Sequence, residues 1–268
     1  MILLIIDCHV HVKGGDAYRR EFPAEYIIQT MDEAGIDKSI IHSICLPPRE
    51  SNDLTYREVM KFPDRLIGFA HALPKPELAE ENLTELERAV KDLGFRGVKI
   101  HFGEVGGKCS MDLISPIIDE TESLGVPCLI DSAGNLDLIR EIVEAHPNAK
   151  IIFAHLGNMR NEILADEVIR LAEDRSNVYL DTSYVRFNWK IADALERAGP
   201  EKLIFGSDGP LIHPLCELAK IKVLKFLAGA ETTMGGTKPI TILKEWREEY
   251  EEMILYRNIA RLIGLEEV

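Results

Sequence analysis

The sequence predicts an α/β fold, a single TIM (β/α)8 barrel that spans residues 1–268 and carries a C-terminal helical extension. Eight short, apolar, β-branched runs recur along the chain, and a helical pattern follows each of them. The polar residues near the ends of the runs lie 24 to 33 residues apart. That spacing fits one strand, one helix and two loops, so the eight units predict a closed parallel barrel.

Each predicted strand ends near a polar side chain. In chain order the runs are LLIID, KSIIHSI, RLIGFAHAL, GVKIHF, VPCLIDS, KIIFAHL, NVYLDT and KLIFGSD. The polar residues are His9, His42, His71, His101, Asp131, His155, Asp181 and Asp208. Because barrel enzymes build their active sites at the carboxyl ends of the strands, we expect these side chains to surround one pocket.

The segments between the runs carry apolar residues at the three- and four-residue spacing of amphipathic helices. The predicted helices cover residues 23–34, 79–93, 112–124, 136–145, 161–172 and 190–198. Glycines stand where four of them should end, at Gly35, Gly94, Gly125 and Gly199. A final helix over 241–263 is expected to close the barrel. The alternative is a doubly wound open sheet, but DCHVHVKGG is not the phosphate loop that such a sheet needs after its first strand.

Charge and composition exclude several classes of protein. The chain has 31 Lys and Arg against 45 Asp and Glu, a net charge of −14, so no nucleic-acid partner is expected. The apolar start MILLII is too short for a signal peptide or a membrane span, which predicts a cytoplasmic protein that does not bind membranes. Five cysteines without a Cys-x-x-Cys pair are expected to be reduced thiols. Assembly into a homo-oligomer is left open, with the aliphatic helix over 215–227 as its candidate face.

His9 and His11 on the first strand are the clearest candidates for a metal site. At positions i and i+2, both imidazoles point into the barrel mouth, while Cys8 and Val10 are expected to point toward the helices. Two adjacent imidazoles suit zinc, iron or manganese. In a closed barrel the eighth strand lies beside the first, so Asp208 brings a carboxylate to this pair. The alternative for Asp208 is a helix N-cap before the following proline.

Further candidates lie on the fourth and sixth strands. His155 can exchange a proton with a substrate at the metal, or it is a core histidine bonded to a carbonyl. Lys99 and His101 share one face of the fourth strand, and we expect both to bind substrate. The alternative for Lys99 is an ion pair with Asp7 low in the barrel.

Two sets of residues are left as general pocket candidates. His42 and His71 are expected to line the pocket or to belong to a polar core. An arginine after a strand could grip a substrate carboxylate with two hydrogen bonds. The candidates are Arg19, Arg20, Arg49, Arg160 and Arg186.

The motifs resemble a known family. DCHVH, FPDRLIGFAHALP, GFRGVKIHFG, IIFAHLGNM, NVYLDTS, IFGSDGP and ILYRNIARLIGL follow the order and spacing of the amidohydrolase superfamily, in the branch that includes aminocarboxymuconate-semialdehyde decarboxylase. The resemblance covers essentially the whole chain. It implies a metal-bearing barrel in which His9 and His11 are ligands, Asp208 binds the metal or handles protons, and His155 is catalytic.

One position departs from the family pattern. The fifth strand of the family usually ends in a metal-binding histidine, whereas here it offers Asp131. We expect Asp131 to join His9, His11 and Asp208 around one divalent ion. Zinc is expected first, although two carboxylates shift the choice toward manganese or iron. Alternatively, Asp131 supports a neighbouring ligand or caps a helix, which leaves three ligands or no metal.

These residues predict a metal-dependent hydrolase that acts on a small organic substrate. The metal activates a water molecule, Asp208 accepts its proton, and His155 helps to polarise the carbonyl under attack. The first alternative is a non-oxidative decarboxylase or hydratase of a small carboxylic acid on the same metal site. The second is a metal-free barrel that only binds a ligand.

Overall fold

The computed structural model describes residues 4–106, 108–157, 161–232 and 240–265. Each of the eight predicted runs contains a strand, and the third contains two short ones. The barrel strands are β1 (Ile6–Lys13), β2 (Lys38–Ser43), β3 (Leu66–Gly68), β4 (Ala70–Ala72), β5 (Val98–His101), β6 (Cys128–Asp131), β7 (Ile151–Phe153), β8 (Val178–Asp181) and β9 (Leu203–Ile204). A separate antiparallel pair consists of β10 (Glu231–Thr232) and β11 (Ile240–Thr241).

The barrel strands pair in parallel and in chain order, from β1 to β3 and from β4 to β9. Phe69 joins the two series, because its N–H donates to the carbonyl of Ile41 on β2. At the opposite seam, the N–H of His11 donates to the carbonyl of Gly209, which follows β9. The sheet therefore closes on itself, and the predicted TIM barrel is confirmed.

All six predicted helices are present, with ends shifted by at most two residues. The helices are α1 (Ala24–Ala34), α2 (Pro48–Val59), α3 (Ala79–Lys91), α4 (Met111–Ser123), α5 (Leu136–Ala145), α6 (Glu162–Asp174), α7 (Asn188–Ala198), α8 (Pro214–Lys222), α9 (Glu248–Glu252) and α10 (Asn258–Leu262). Gly35, Gly94 and Gly125 have the expected left-handed φ values. Gly199 also ends its helix but is extended in ψ (157°), because Pro200 excludes helical ψ at the residue before it.

The final helix begins later than predicted. Residues 241–247 are not helical, and the helical segment runs from Glu248 through a π turn at Met253–Arg257 to Leu262. The start predicted at residue 241 is wrong because Thr241 pairs with Glu231 in the β10–β11 ladder. Among the described helices, none has the length and apolar character that a membrane span requires.

The barrel interior holds its own apolar cluster. Ile6, Ile40 and Leu129 from the strands pack there with Ile259 of α10, so the C-terminal helix closes the end where the strands begin. Cys8 belongs to this inner cluster, and its expected outward position is wrong. The register of β1 shifts between Asp7 and Val10, and such a bulge breaks the strict alternation of side chains. The opposite end, where the strands finish, is left to polar residues.

Candidate metal centre and active site

Three buried histidines from β1 and β2 form the first part of the site. The side-chain nitrogens of His9, His11 and His42 lie close enough together to hold one ion, within 4.8 Å of one another. The ring centroids of His11 and His42 are 4.5 Å apart, and those of His9 and His42 are 5.2 Å apart. The two predicted histidines thus come together as expected, and His42 joins them.

Several ring nitrogens of this group have no hydrogen-bond partner among the described residues. Both nitrogens of His42 and Nδ1 of His11 are buried and unbonded. A buried polar atom without a partner costs roughly 1–3 kcal/mol, so such atoms are rare in folded proteins. Imidazole nitrogens are ligands for zinc, iron and manganese. The residues present therefore fit a divalent metal ion.

Asp208 joins this centre from the loop after β9. Its Oδ1 lies 3.0 Å from His11 Nε2 and 3.4 Å from His9 Nε2. Together with His9 and His155 it forms a second buried group whose donor atoms lie within 4.8 Å of one another. Asp208 has a φ of 59°, which is uncommon for a residue other than glycine and recurs at functional sites.

Asp208 is ionised at neutral pH. Burial raises the pKa of this carboxyl, but the hydrogen bond to His11 and the nearby imidazoles of His9 and His155 lower it further, to about 2. The group therefore carries a negative charge in a site that excludes water. It is suited to bind a cation or to accept a proton.

The pKa of His155 is shifted in the opposite direction, upward. Burial lowers the pKa of its imidazole, but the contact with Asp131 and the charge of Asp208 raise it to about 9. Its Nδ1 lies 2.9 Å from the carbonyl oxygen of Ser183, and its Nε2 lies 3.6 Å from Asp131 Oδ2. The carbonyl contact expected of a core histidine is present, and so is a charged partner at the site.

Asp131 is the last residue of β6 and lies beside His101 and His155. Its Oδ2 is 3.2 Å from His101 Nε2, and its Oδ1 accepts the N–H of Ala133. Asp131 belongs to neither of the donor groups found among the described residues. Its predicted role as a ligand stays a prediction, because the contacts that it makes here are to histidines and backbone.

His9 is held from two sides. Its Nδ1 lies 2.7 Å from Asp181 Oδ2, and its Nε2 lies 2.8 Å from the ammonium nitrogen of Lys99. The carboxylate behind the ring fixes its orientation, as commonly occurs for metal-binding histidines. The ion pair between Lys99 and Asp7 considered from the sequence is not formed, since Asp7 bonds the backbone N–H and hydroxyl of Ser207 instead.

Sequence reasoning missed three contributors. His42 was given no specific role, although it ends its strand level with His11. Asp181 served only as a marker of the seventh strand. Glu104, which lies 2.8 Å from His71 Nε2, carried no sequence signal because it lies beyond its strand, in the 3-10 turn Phe102–Val105. A polar residue at the end of each strand was the available signal for the first two.

The candidate arginines have different surroundings. Arg20 pairs with Asp16 and Arg49 with Glu85. Arg186 lies over the ring of Phe187. Arg160 lies outside the described residues, and Arg19 lines a surface cavity together with Lys75 and Glu104.

Comparisons with known proteins agree with this architecture. The amidohydrolase family profile matches residues 6–265. The structure of 2,6-dihydroxybenzoate decarboxylase from Rhizobium is similar at a TM-score of 0.72 and 18% identity, over 98% of this chain and 99% of that chain. A dihydroxybenzoic acid decarboxylase from Polaromonas sp., with bound manganese and the inhibitor 2-nitroresorcinol, is similar at a TM-score of 0.70 and 20% identity, over 100% of this chain and 98% of that chain. Among the curated proteins, none matches this sequence.

A third similar structure is a 4-oxalomesaconate hydratase from Rhodopseudomonas palustris, with a TM-score of 0.68 and 19% identity over 98% of this chain and 96% of that chain. Identities this low show a shared fold. The family match is independent of them and covers nearly every residue. The chain therefore belongs to the amidohydrolase family and is a member with the TIM-barrel fold of its structural neighbours.

Proposed function

We propose that this protein is a metal-dependent lyase that removes CO2 from a small carboxylic acid without a redox partner. The observation that carries the proposal is a pair of buried basic side chains, Lys99 and His155, at the same end of the barrel as the histidine and carboxylate ligands. A substrate carboxylate would find charge partners there. Full-length similarity to two decarboxylases and a hydratase supports this choice over the hydrolysis expected from the sequence.

The metal would be held by His9 and His11 together with His42 or Asp208. When bound, a divalent ion would supply Lewis-acid chemistry to an oxygen of the substrate. The mixture of imidazole and carboxylate suits zinc, iron or manganese. Manganese in the similar decarboxylase from Polaromonas sp. supports that ion over zinc, which we expected first.

Asp208 is the group that we assign to proton transfer. Decarboxylation replaces CO2 with a proton: the carbon–carbon bond breaks, its electron pair stays on the substrate carbon, and a proton binds there. With a pKa of about 2, Asp208 enters the reaction ionised. It takes a proton from a substrate hydroxyl or from solvent, holds it at a carboxylate oxygen, and transfers it to the carbon.

Lys99 and His155 orient the substrate. Both are buried, so their interactions with an anion are not weakened by water. Asp181 and Ser183 hold the rings of His9 and His155 in place, since Ser183 Oγ lies 3.2 Å and 3.0 Å from their respective Nδ1 atoms. The residues of this chain therefore supply binding, orientation and one proton carrier.

Hydrolysis is the second candidate, and a specific observation favours it. The pKa of Asp208 is lowered to about 2 and that of His155 is raised to about 9, which places a base and an acid in one site. Such a pair can take a proton from water and give one to a leaving group. The two reactions use the same residues and differ in substrate.

Product analysis separates the two reactions. The manganese-loaded protein is incubated with a panel of hydroxybenzoic acids and, separately, with esters and lactones of similar size. The proposal expects CO2 release from at least one acid and none from the Asp208→Asn variant. Ester or lactone cleavage without any CO2 release would favour hydrolysis. A protein that binds these acids but turns over neither class would be the ligand-binding barrel.

A further inference from the structure

Ser183 contacts two histidines of the site from a turn that follows β8. Its Oγ lies 3.2 Å from His9 Nδ1 and 3.0 Å from His155 Nδ1. Its carbonyl oxygen lies 2.9 Å from the same nitrogen of His155. Because a carbonyl oxygen can only accept, this contact requires a hydrogen at Nδ1 and leaves Nε2 of His155 facing Asp131. The position of this turn therefore sets the orientation of both rings.

The turn has a backbone conformation that needs support. Tyr184 has a φ of 55°, in the left-handed region that residues other than glycine rarely adopt. Such a residue keeps this conformation only where the surrounding structure holds it. The N–H of Thr182 still bonds the carbonyl of Ile204 on β9, but Ser183 and Tyr184 belong to no strand or helix. The support must therefore come from outside the sheet.

Two side chains of α8 supply this support. Glu217 Oε2 accepts the N–H of Tyr184 at 3.0 Å. The ammonium group of Lys220 donates to the carbonyl oxygen of Val185 at 2.8 Å. The two side chains also pair with each other, with 2.5 Å between Lys220 Nζ and Glu217 Oε1. The backbone just after Ser183 is thus bonded to α8 by a carboxylate and an ammonium group.

Glu217 occupies a position at which packing alone favours an apolar residue. It is 3% exposed and lies on the face of α8 that buries Leu218 and Ile221. Burial raises the pKa of this carboxyl, and the contacts with Lys220 and with the N–H of Tyr184 oppose the shift. A buried carboxylate destabilises the fold unless it is paired and hydrogen-bonded. Its contribution here is therefore the bond to the turn, which no apolar side chain could make.

We propose that Glu217 is a positioning residue of the metal centre, which holds the turn after β8 so that Ser183 keeps the rings of His9 and His155 in place. Glu217 itself bonds only Tyr184 and Lys220 among the residues that the structure describes. It acts on the site through Ser183. This inference rests on the proposed function, which assigns His9 to the metal and His155 to the substrate.

Two measurements test this without a known substrate. Competition with a chelator gives the affinity for zinc, and NMR of the zinc-loaded protein with isotope-labelled histidine reports the Nδ1 hydrogen of His155, which the spectrum of His155→Gln assigns. In Glu217→Ala we expect the affinity to fall about tenfold, as for other groups that support metal ligands, and the Nδ1 signal to shift or broaden. Glu217→Gln keeps an oxygen that can accept the N–H of Tyr184, so it should restore most of both.

Glu58 of α2 provides a matched control. It is also buried, accepts a backbone N–H, that of Ala24, at 2.8 Å, and pairs with the lysine three residues later, Lys61, at 2.7 Å. None of its hydrogen bonds among the described residues reaches the centre. Glu58→Ala should lose stability to denaturant as Glu217→Ala does, while its zinc affinity and its His155 signal stay unchanged.

Three results would overturn the inference. The first is wild-type zinc affinity and an unchanged His155 signal in Glu217→Ala. The second is an equal loss of affinity in Glu58→Ala, which would show a general effect of destabilisation. If Glu217→Ala does not fold, Lys220→Met takes its place, because it removes only the donor to Val185 and should give the same changes at smaller size. The third is the absence of both changes in that variant.

The outcome is separable from that of the proposed function. Weaker zinc binding and an altered His155 signal in Glu217→Ala, in a protein that releases no CO2 from any acid, would support the positioning role and refute the decarboxylase. Release of CO2 by the wild-type protein, with both measurements unchanged in Glu217→Ala, would do the opposite.

Discussion

Two walls of the site differ in how their histidines are partnered. On the wall from β1 and β2, His11 and His42 leave three buried ring nitrogens without hydrogen-bond partners in the described structure. On the wall from β5 to β7, His101 and His155 both face the carboxylate of Asp131. Without a ligand, the first wall leaves buried nitrogens without hydrogen bonds. In the second wall, the carboxylate of Asp131 already balances positive charge on the two histidines. This difference favours metal binding on the first wall and substrate binding on the second.

The largest effect is expected at Asp208, where the walls meet. Asp208→Asn removes the group that carries the proton, so kcat should fall by roughly 10³-fold or more. The fold should survive because the amide has the same shape. Steady-state kinetics and circular dichroism measure the two effects, and Asp137→Asn on an exposed helix position serves as the matched control. Undiminished turnover in Asp208→Asn would refute the assigned role.

His42→Leu probes the incomplete wall. The substitution removes two buried nitrogens without partners, so the metal-free protein should gain about 1–2 kcal/mol in its free energy of unfolding, while the affinity for metal should fall at least tenfold. His71→Leu is the control: Nδ1 of His71 also lacks a partner, but its Nε2 is bonded to Glu104, so the substitution leaves a buried carboxylate oxygen unpaired and should destabilise the protein. Denaturant unfolding measures the stability of both variants. If both substitutions destabilise the metal-free protein equally, the unbonded nitrogens of His42 do not mark a metal site.

Asp181→Asn tests the support of His9. The amide oxygen of asparagine is an uncharged and therefore weaker acceptor for the ring hydrogen at Nδ1, and the NH2 group can turn toward the ring in its place. We expect a 10- to 100-fold loss of metal affinity, with turnover largely restored at saturating metal. Competition with a chelator measures the affinity. If the affinity is unchanged, Asp181 is not what orients His9.

The smallest effect is expected for Asp131→Asn, which tests the wall from β5 to β7. On the basis of its contacts, we expect the variant to keep its metal and to lose about tenfold in kcat, because His101 and His155 lose their anionic partner. The ligand set expected from the sequence gives the opposite result, loss of the metal. Elemental analysis of this variant, together with steady-state kinetics, decides whether His42 or Asp131 is the metal ligand.

Much of the fold could be predicted from the sequence because the apolar strand runs recur regularly and the helices show clear three- and four-residue apolar spacing. The apolar runs and the helical spacing located eight strand regions and six helices to within a few residues. The final helix was misplaced at its start because a ladder between β10 and β11 uses the backbone of Thr241. Cys8 was assigned to the wrong face because a bulge cannot be recognised from a short apolar run.

The site was only partly predictable. The proximity of His9, His11, His155 and Asp208 was predictable because they lie in or just beyond strands that meet in a closed barrel, whereas their roles stay predictions. Which of the remaining strand-end residues approach them depends on stagger and rotamer, and sequence spacing contains neither. His42 therefore received no role, and the pairing of Asp131 with two histidines was not foreseen.

Elemental metal analysis of protein purified without added metal tests the central claim most directly. The account predicts about one equivalent of a divalent metal in the wild-type protein and none in the double variant His9→Ala, His11→Ala, with circular dichroism showing that the barrel persists. A wild-type protein that contains no metal, even after incubation with zinc, manganese and iron, would contradict the account.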